Sequence, residues 1–310
     1  MIIDLPSTSI SAISKSLVKL REEGGAVALG RVLTLVISTN SENLESVIAA
    51  ANDASREHPM RVIVISRPEN TQKDHHYLDA QIRLGGDAGA SEVIILTPVG
   101  LDESDDSDLV MGLLLPDAPV VAWWSGKSPA VPSETLLGKL ATRRITDALD
   151  KPDPEVAINE LATSFRPGDT DFAWTRLTLW RTQLAAILDN PPYEPVLDVK
   201  ITANKRTPSA ILLAAWLKMQ LNVAVELISV DGGINDGVHK VEYVRASGTT
   251  VLQRNAKGVA DLIQPDQPNH SIWLPERTLR DSLAEELRTL EPDRMLEAVL
   301  KDGLSALKAQ

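Results

Sequence analysis

Val32-Leu33-Thr34-Leu35-Val36-Ile37, a helical stretch with apolar positions Leu44, Val47, Ile48, Ala51 and Ala54, and then Val62-Ile63-Val64-Ile65 decide the fold. Each β-favouring run is almost continuously apolar, which suits a strand buried on both faces. Strand, helix, strand in this order is a crossover unit, so the two strands are expected to lie parallel with a right-handed connection. Ser41 stands where it can cap the helix, which must end by Pro59.

Working outward, Ser9 to Glu23 reads as a helix with Ile13, Leu17 and Leu20 on one stripe, stopped by Gly24-Gly25. Leu78, Ala80, Ile82 and Leu84 alternate with Asp79, Gln81 and Arg83, the period of a half-exposed strand. Val93 to Leu96 and Val120 to Trp123 complete a sheet of about five strands. Residues 1–166 are therefore expected to form a Rossmann-like α/β domain with a mostly parallel sheet.

Lys151-Pro152-Asp153-Pro154 opens a further helix to about Thr163, and Arg166-Pro167-Gly168 breaks the chain. That break sets the expected domain boundary, leaving 167–310 as an α+β domain. It opens with one long helix from Asp169 or Thr170 to Leu188, since Ala173, Leu177, Trp180, Leu184, Ile187 and Leu188 form one stripe. Thr207-Pro208 starts another helix. Runs at 197–201, 223–230, 238–245, 249–254 and 270–274 read as strands, and Thr278 to Leu290 and the stretch after Pro292 as helices.

Composition excludes several classes. Among 310 residues, 43% are apolar and 24% charged, ordinary for a globular chain. A net charge of −12 repels a phosphate backbone, and the clusters Lys139/Arg143/Arg144 and Lys205/Arg206 carry no aromatic run to stack bases. Nucleic acid is not an expected partner. The chain has no cysteine, which removes thiol chemistry and cysteine-ligated metal. The N-terminus lacks a signal-peptide pattern, and the apolar run from Leu109 to Trp124 is interrupted by Pro116, Asp117 and Pro119. The expectation is a cytoplasmic protein with no membrane partner.

Motif by motif, the chemistry is thin. Gly126-Lys127-Ser128 has the end of a P-loop, but Val121 stands where the loop needs its first glycine. Gly85-Gly86-Asp87-Ala88-Gly89 lacks dinucleotide spacing and leads into a strand, so it reads as a hairpin turn. His75-His76 read as a surface loop rather than metal ligands, and Asp102 to Asp108 as a solvated acidic loop without the glycine of a calcium site. No catalytic set, cofactor or metal is expected.

The balance of aromatics is unusual: six Trp against two Phe and three Tyr. Asp171, Trp174, Thr178 and Arg181 would share a second stripe of the long helix, and Trp and Arg dominate protein-interface hot spots. An exposed Trp/Arg patch there, or beside Trp123-Trp124, is the expected partner surface. The plainer reading is that these rings pack internally and Arg181 pairs with a carboxylate.

Several longer blocks carry a family resemblance. Gly24 to Ile37 (GGAVALGRVLTLVI), Ala54 to Ile65 (ASREHPMRVIVI), Asp79 to Glu92 (DAQIRLGGDAGASE), Leu113 to Trp124 (LLLPDAPVVAWW), Arg143 to Ala148 (RRITDA), Pro167 to Arg181 (PGDTDFAWTRLTLWR) and Ser282 to Arg288 (SLAEELR) resemble the OpcA family of glucose-6-phosphate dehydrogenase assembly proteins. The match is weakest from about 196 to 270. The resemblance implies a non-catalytic partner that assembles or allosterically activates the NADP-linked entry enzyme of the oxidative pentose phosphate pathway. Cyanobacterial members add redox control through cysteines; this chain, with none, resembles the actinobacterial type. Asp169, Asp171, Trp174, Arg176, Trp180 and Arg181, with Trp123 and Trp124, match the family pattern without assigned roles. A second reading stays open, in which strand-end loops of the first domain serve a sugar-phosphate or nucleotide enzyme, with Lys139, Arg143 and Arg144 meeting a phosphate.

Overall fold

The computed structural model describes residues 1–23, 32–68, 76–84, 92–101, 106–204, 207–230, 237–255 and 258–310. The readings placed on Gly24-Gly25, His75, Gly85 to Gly89, Asp102 to Asp105 and Lys205-Arg206 lie outside the described residues. In chain order come β1 (Ile2–Leu5), α1 (Ile10–Glu23), β2 (Leu33–Asn40), α2 (Leu44–Ala54), β3 (Met60–Arg67), β4 (Tyr77–Leu84), β5 (Glu92–Val99), α3 (Asp106–Met111), β6 (Val120–Trp124), α4 (Leu136–Leu140) and β7 (Arg143–Thr146). Next are α5 (Pro154–Ser164), β8 (Asp169–Asp171), α6 (Phe172–Thr175), α7 (Thr178–Leu188), β9 (Asp198–Asn204) and α8 (Pro208–Leu221). The chain closes with β10 (Ala224–Val230), β11 (Val238–Arg245), β12 (Gly248–Arg254), β13 (Val259–Ile263), β14 (His270–Trp273), α9 (Leu279–Arg288), α10 (Arg294–Ala298) and, after a π-helical turn at Val299–Gly303, α11 (Leu304–Lys308).

Contacts divide the chain into two units built from interleaved stretches. The first comprises Met1–Asp147, Arg166–Thr170 and Thr278–Pro292; the second comprises Ala148–Phe165, Asp171–Arg277 and Asp293–Gln310. The chain crosses between the units after Asp147, Phe165, Thr170, Arg277 and Pro292.

The first unit is a doubly wound α/β sheet in the order β1-β4-β5-β3-β2-β6-β7-β8. Strands β5, β3, β2, β6 and β7 pair parallel, and β4 pairs antiparallel with both β5 and β1. The parallel part of the sheet starts at β2 in the middle, builds outward to β3 and β5, then returns to add β6 on the other side. Eight strands replace the anticipated five or so. The additions are short or unorthodox: β1 has four residues, and β7 carries Arg143-Arg144 into the interior, which no apolar pattern signals. Ile13, Leu17, Val36, Ile63, Ala122 and Trp124 share one core cluster, and α2 packs beside α9. The acidic stretch expected to be a loop is helical from Asp106 onward, in α3.

Caps agree with the local chemistry, with one correction. Asn43, not Ser41, is the N-cap of α2, and the Asn40 carboxamide oxygen accepts the Asn43 N–H at 3.0 Å. Arg83 on β4 forks onto Glu45 in the first turn of α2 at 2.9 and 2.7 Å. That hydrogen bond holds the Glu45 carboxyl below its ordinary range. A depressed folded pKa means the pair stabilises above the unfolded value and loses that contribution as pH falls through the folded one. The carboxylate is largely exposed, so the stabilisation is at most about 1 kcal/mol. In a carbon-detected NMR titration the Glu45 midpoint should lie below that of a free glutamate and return to it in Arg83→Gln. An unchanged midpoint in the variant would remove Arg83 as the cause.

The second unit carries a six-stranded sheet, order β10-β9-β11-β12-β13-β14. Strands β9 and β10 are parallel and joined by α8; the rest is an antiparallel meander. Thr207 caps α8 and Pro208 takes its first position, as the sequence implied. Residues 210–215 of α8 are all buried, so this helix is central rather than superficial. Val199, Ile201, Tyr243, Leu252 and Ala260 face that core. The alternate positions Lys200, Glu226, Glu242, Ile263 and Trp273 lie on the opposite face. No helix among the described residues is long and apolar enough to cross a membrane.

Candidate functional site

The tryptophan and arginine residues that the sequence singled out are mostly internal. Trp123 and Trp124, adjacent on β6, are 1% and 6% exposed, and Trp124 belongs to the core cluster with Val36 and Ile63. Trp174 is 1% exposed; its indole N–H donates to the Asp293 carboxylate at 2.8 Å, and the Arg181 guanidinium sits 3.7 Å from a ring centroid. Among the described residues, Trp123, Trp124 and Trp174 therefore present no exposed rings to a partner. Large rings gain most by leaving water, and here the core takes them.

The expected single helix from Asp169 to Leu188 is also three elements. Asp169 and Asp171 belong to β8, Asp171 caps α6 by accepting the Ala173 N–H at 2.9 Å, and α7 starts only at Thr178. The same Asp171 oxygen accepts the Ala148 N–H at 3.1 Å. Thr178 donates its hydroxyl to the Thr175 carbonyl at 2.9 Å, a local bond within the turn. Arg176 lies 5.9 Å from the Phe172 ring centroid. Sequence periodicity could not see this break, because the apolar stripe keeps its helical phase across it.

The three basic residues considered for phosphate contact separate. Arg143 is buried and pairs with Glu286 of α9, its Nε donating at 3.0 Å, while Nη1 reaches the Glu291 carbonyl at 2.8 Å. Arg144 is buried against Asp169 and donates to the carbonyls of Ala141 at 2.9 Å and Pro167 at 2.6 Å. Asp169 in turn accepts the Arg166 N–H at 2.7 Å. These arginines serve internal ion pairs, and only Lys139 faces solvent.

Two of the recesses among the described residues bear on a possible site. Where the strand order reverses between β2 and β6, the strand ends leave a cavity of about 410 Å³ lined by Ser38, Thr39, Asn40, Arg67, Ser125 and Lys127. Open α/β sheets place ligands at such a point. Here no glycine fingerprint leads into α2, and Arg67 is engaged by Asp106 and by the Leu101 carbonyl at 2.7 Å. The second recess, in the other unit, is lined by Arg176, Arg254 and Arg277 with Trp180, Ser209 and Glu276. Sequence reasoning missed it because its arginines are dispersed along the chain. It also missed Trp273, 67% exposed on the open sheet face, although its alternation with Ile272 and Leu274 was a readable signal. Among the described residues no three His, Asp or Glu gather as a metal site.

Residues 51–163 match the family model described as the glucose-6-phosphate dehydrogenase subunit N-terminal domain, and residues 167–300 match the one described as its C-terminal domain. The chain belongs to the OpcA family. No curated protein matches the sequence. Similar solved structures include an oxidoreductase from Sinorhizobium meliloti, with TM-score 0.49, 7% identity, and coverage of 89% of this chain and 95% of that one. A UDP-N-acetylglucosamine 3-dehydrogenase from Acidithiobacillus ferrooxidans follows at TM-score 0.45, 8% identity, 89% and 98% coverage. A myo-inositol dehydrogenase from Lactobacillus casei gives TM-score 0.39, 11% identity, 90% and 94%. At such values these likenesses say nothing of the chemistry of this OpcA-family chain. The family blocks Arg143 to Ala148 and Pro167 to Arg181 instead find a physical role here: they carry the internal ion pairs and caps just described.

Proposed function

We propose that this protein binds glucose-6-phosphate dehydrogenase and favours that enzyme's active form, without catalysing a reaction itself. The observation that carries the reading is the pair of family matches, which together run from residue 51 to residue 300 and name a dehydrogenase subunit at both ends. The buried placement of the motif residues supports it too: Asp169, Asp171, Trp174 and Arg144 maintain a frame and do not converge on an open reaction centre. In this reading they act on the partner indirectly, by holding the surface it meets.

Activation requires a difference in affinity. A binder indifferent to the two conformations of its partner shifts neither, however tightly it holds. Allosteric couplings typically amount to about 1–3 kcal/mol, roughly 5–150-fold in apparent affinity. The test is an assay of the cognate dehydrogenase with glucose 6-phosphate varied, in the presence and absence of this protein. The half-saturating concentration should fall, or turnover rise, by about fivefold or more. An unchanged rate profile, together with no association by sedimentation, would overturn the reading. Turnover of a sugar phosphate by the isolated protein would favour the enzyme reading instead.

A further inference from the structure

Three arginines from separate parts of the second unit line one small cavity. Arg176 follows α6, Arg254 ends β12 and Arg277 lies beyond β14, and the space they share with Trp180, Ser209 and Glu276 is about 130 Å³. Arg254 is held in place before any ligand arrives. Its Nε donates to the Leu274 carbonyl at 2.9 Å, its Nη2 to the Pro275 carbonyl at 3.2 Å, and its guanidinium stands 5.1 Å from the Trp180 ring centroid. Burial pushes its pKa below the ordinary arginine value, so a nearby anion would relieve a real desolvation cost.

One carboxylate already marks the spot. Glu276 Oε1 is 3.9 Å from Arg254 Nη1, beyond hydrogen-bond reach, and its side chain is 48% exposed. A group held so loosely is easily displaced. Guanidinium forks match tetrahedral oxyanions bidentately, which ammonium groups and carbonyls do not. The volume is well under the roughly 300–1,000 Å³ typical of drug-sized ligands. It suits a single phosphate-sized head and not a dinucleotide.

We propose that this cavity binds a small phosphate-class anion, either orthophosphate or the phosphate head of a monoester, which takes the place of Glu276 beside Arg254. The proposal does not depend on the activator reading, because binding is measured on the isolated protein.

The test is calorimetric titration of the full chain with inorganic phosphate and, separately, glycerol 3-phosphate, at ionic strength fixed with chloride. Saturable binding of either supports the site, and the tighter of the two tells a free anion from a phosphorylated metabolite. Arg176→Gln and Arg277→Gln should each weaken binding about tenfold or more, as expected when a charged hydrogen-bond partner is lost. Glu276→Gln should tighten it severalfold, since it removes the competing carboxylate, an effect that a merely structural cavity would not show. Glu276 is exposed, so this variant decides the matter even if the arginine variants fail to fold. Absence of saturable binding by the native protein at millimolar phosphate, equal affinity in both folded arginine variants, or unchanged affinity in Glu276→Gln would each overturn the proposal.

Discussion

Asp169→Leu should lower the unfolding free energy by about 3–5 kcal/mol, because it strands the Arg144 guanidinium in the interior without its counter-charge. Arg144 would keep its carbonyl partners at Ala141 and Pro167, but carbonyls do not neutralise a charge. The backbone N–H of Arg166 would also lose its acceptor. The double variant Arg144→Met/Asp169→Leu should recover most of the loss, since an apolar pair of similar volume avoids desolvating two ions. Urea titration of the intact protein measures both. A loss under about 1 kcal/mol for the single variant would place the pair with ordinary solvent-exposed bridges and remove its structural importance.

Trp174→Ala should be comparably costly, about 3–5 kcal/mol, for a different reason. It empties a ring-sized volume from a packed core and leaves the Asp293 carboxylate without the indole N–H. Arg181→Ala removes a cation from the face of the same ring and should cost only about 0.5–2 kcal/mol. The difference bears on function. If the tryptophan acts by maintaining the frame, dehydrogenase binding by Trp174→Ala should fall only as its folded fraction falls, and Arg181→Ala should bind nearly as well as the native protein. Abolished binding in a stably folded Arg181→Ala would instead put that guanidinium on the partner.

Sequence and structure agree where local physics decides. The parallel crossover from β2 through α2 to β3 was written in two apolar runs and a 3.6-period helix, and the half-exposed β4 in a strict alternation. Thr207-Pro208 announced the start of α8 by the chemistry of its first turn. What could not be read depended on partners far along the chain. A strand carrying Arg143 and Arg144 becomes acceptable only once Glu286 and Asp169 arrive to neutralise them. Tryptophan suits a core and an interface equally, so its identity could not say which side of the surface Trp123 and Trp174 occupy. The arginine-lined cavity was invisible for the same reason, its members being 78 and 23 residues apart along the chain at Arg176, Arg254 and Arg277.

The return of Thr278–Pro292 to the first unit has a consequence for biosynthesis. Proteins emerging from the ribosome usually complete their leading domain first. Here the leading sheet emerges without α9, whose Leu283 and Leu287 are buried and whose Glu286 answers Arg143. Until Pro292 has left the exit tunnel, that arginine waits without its carboxylate, so the first unit reaches its final form only after all the strands of the second unit have been made.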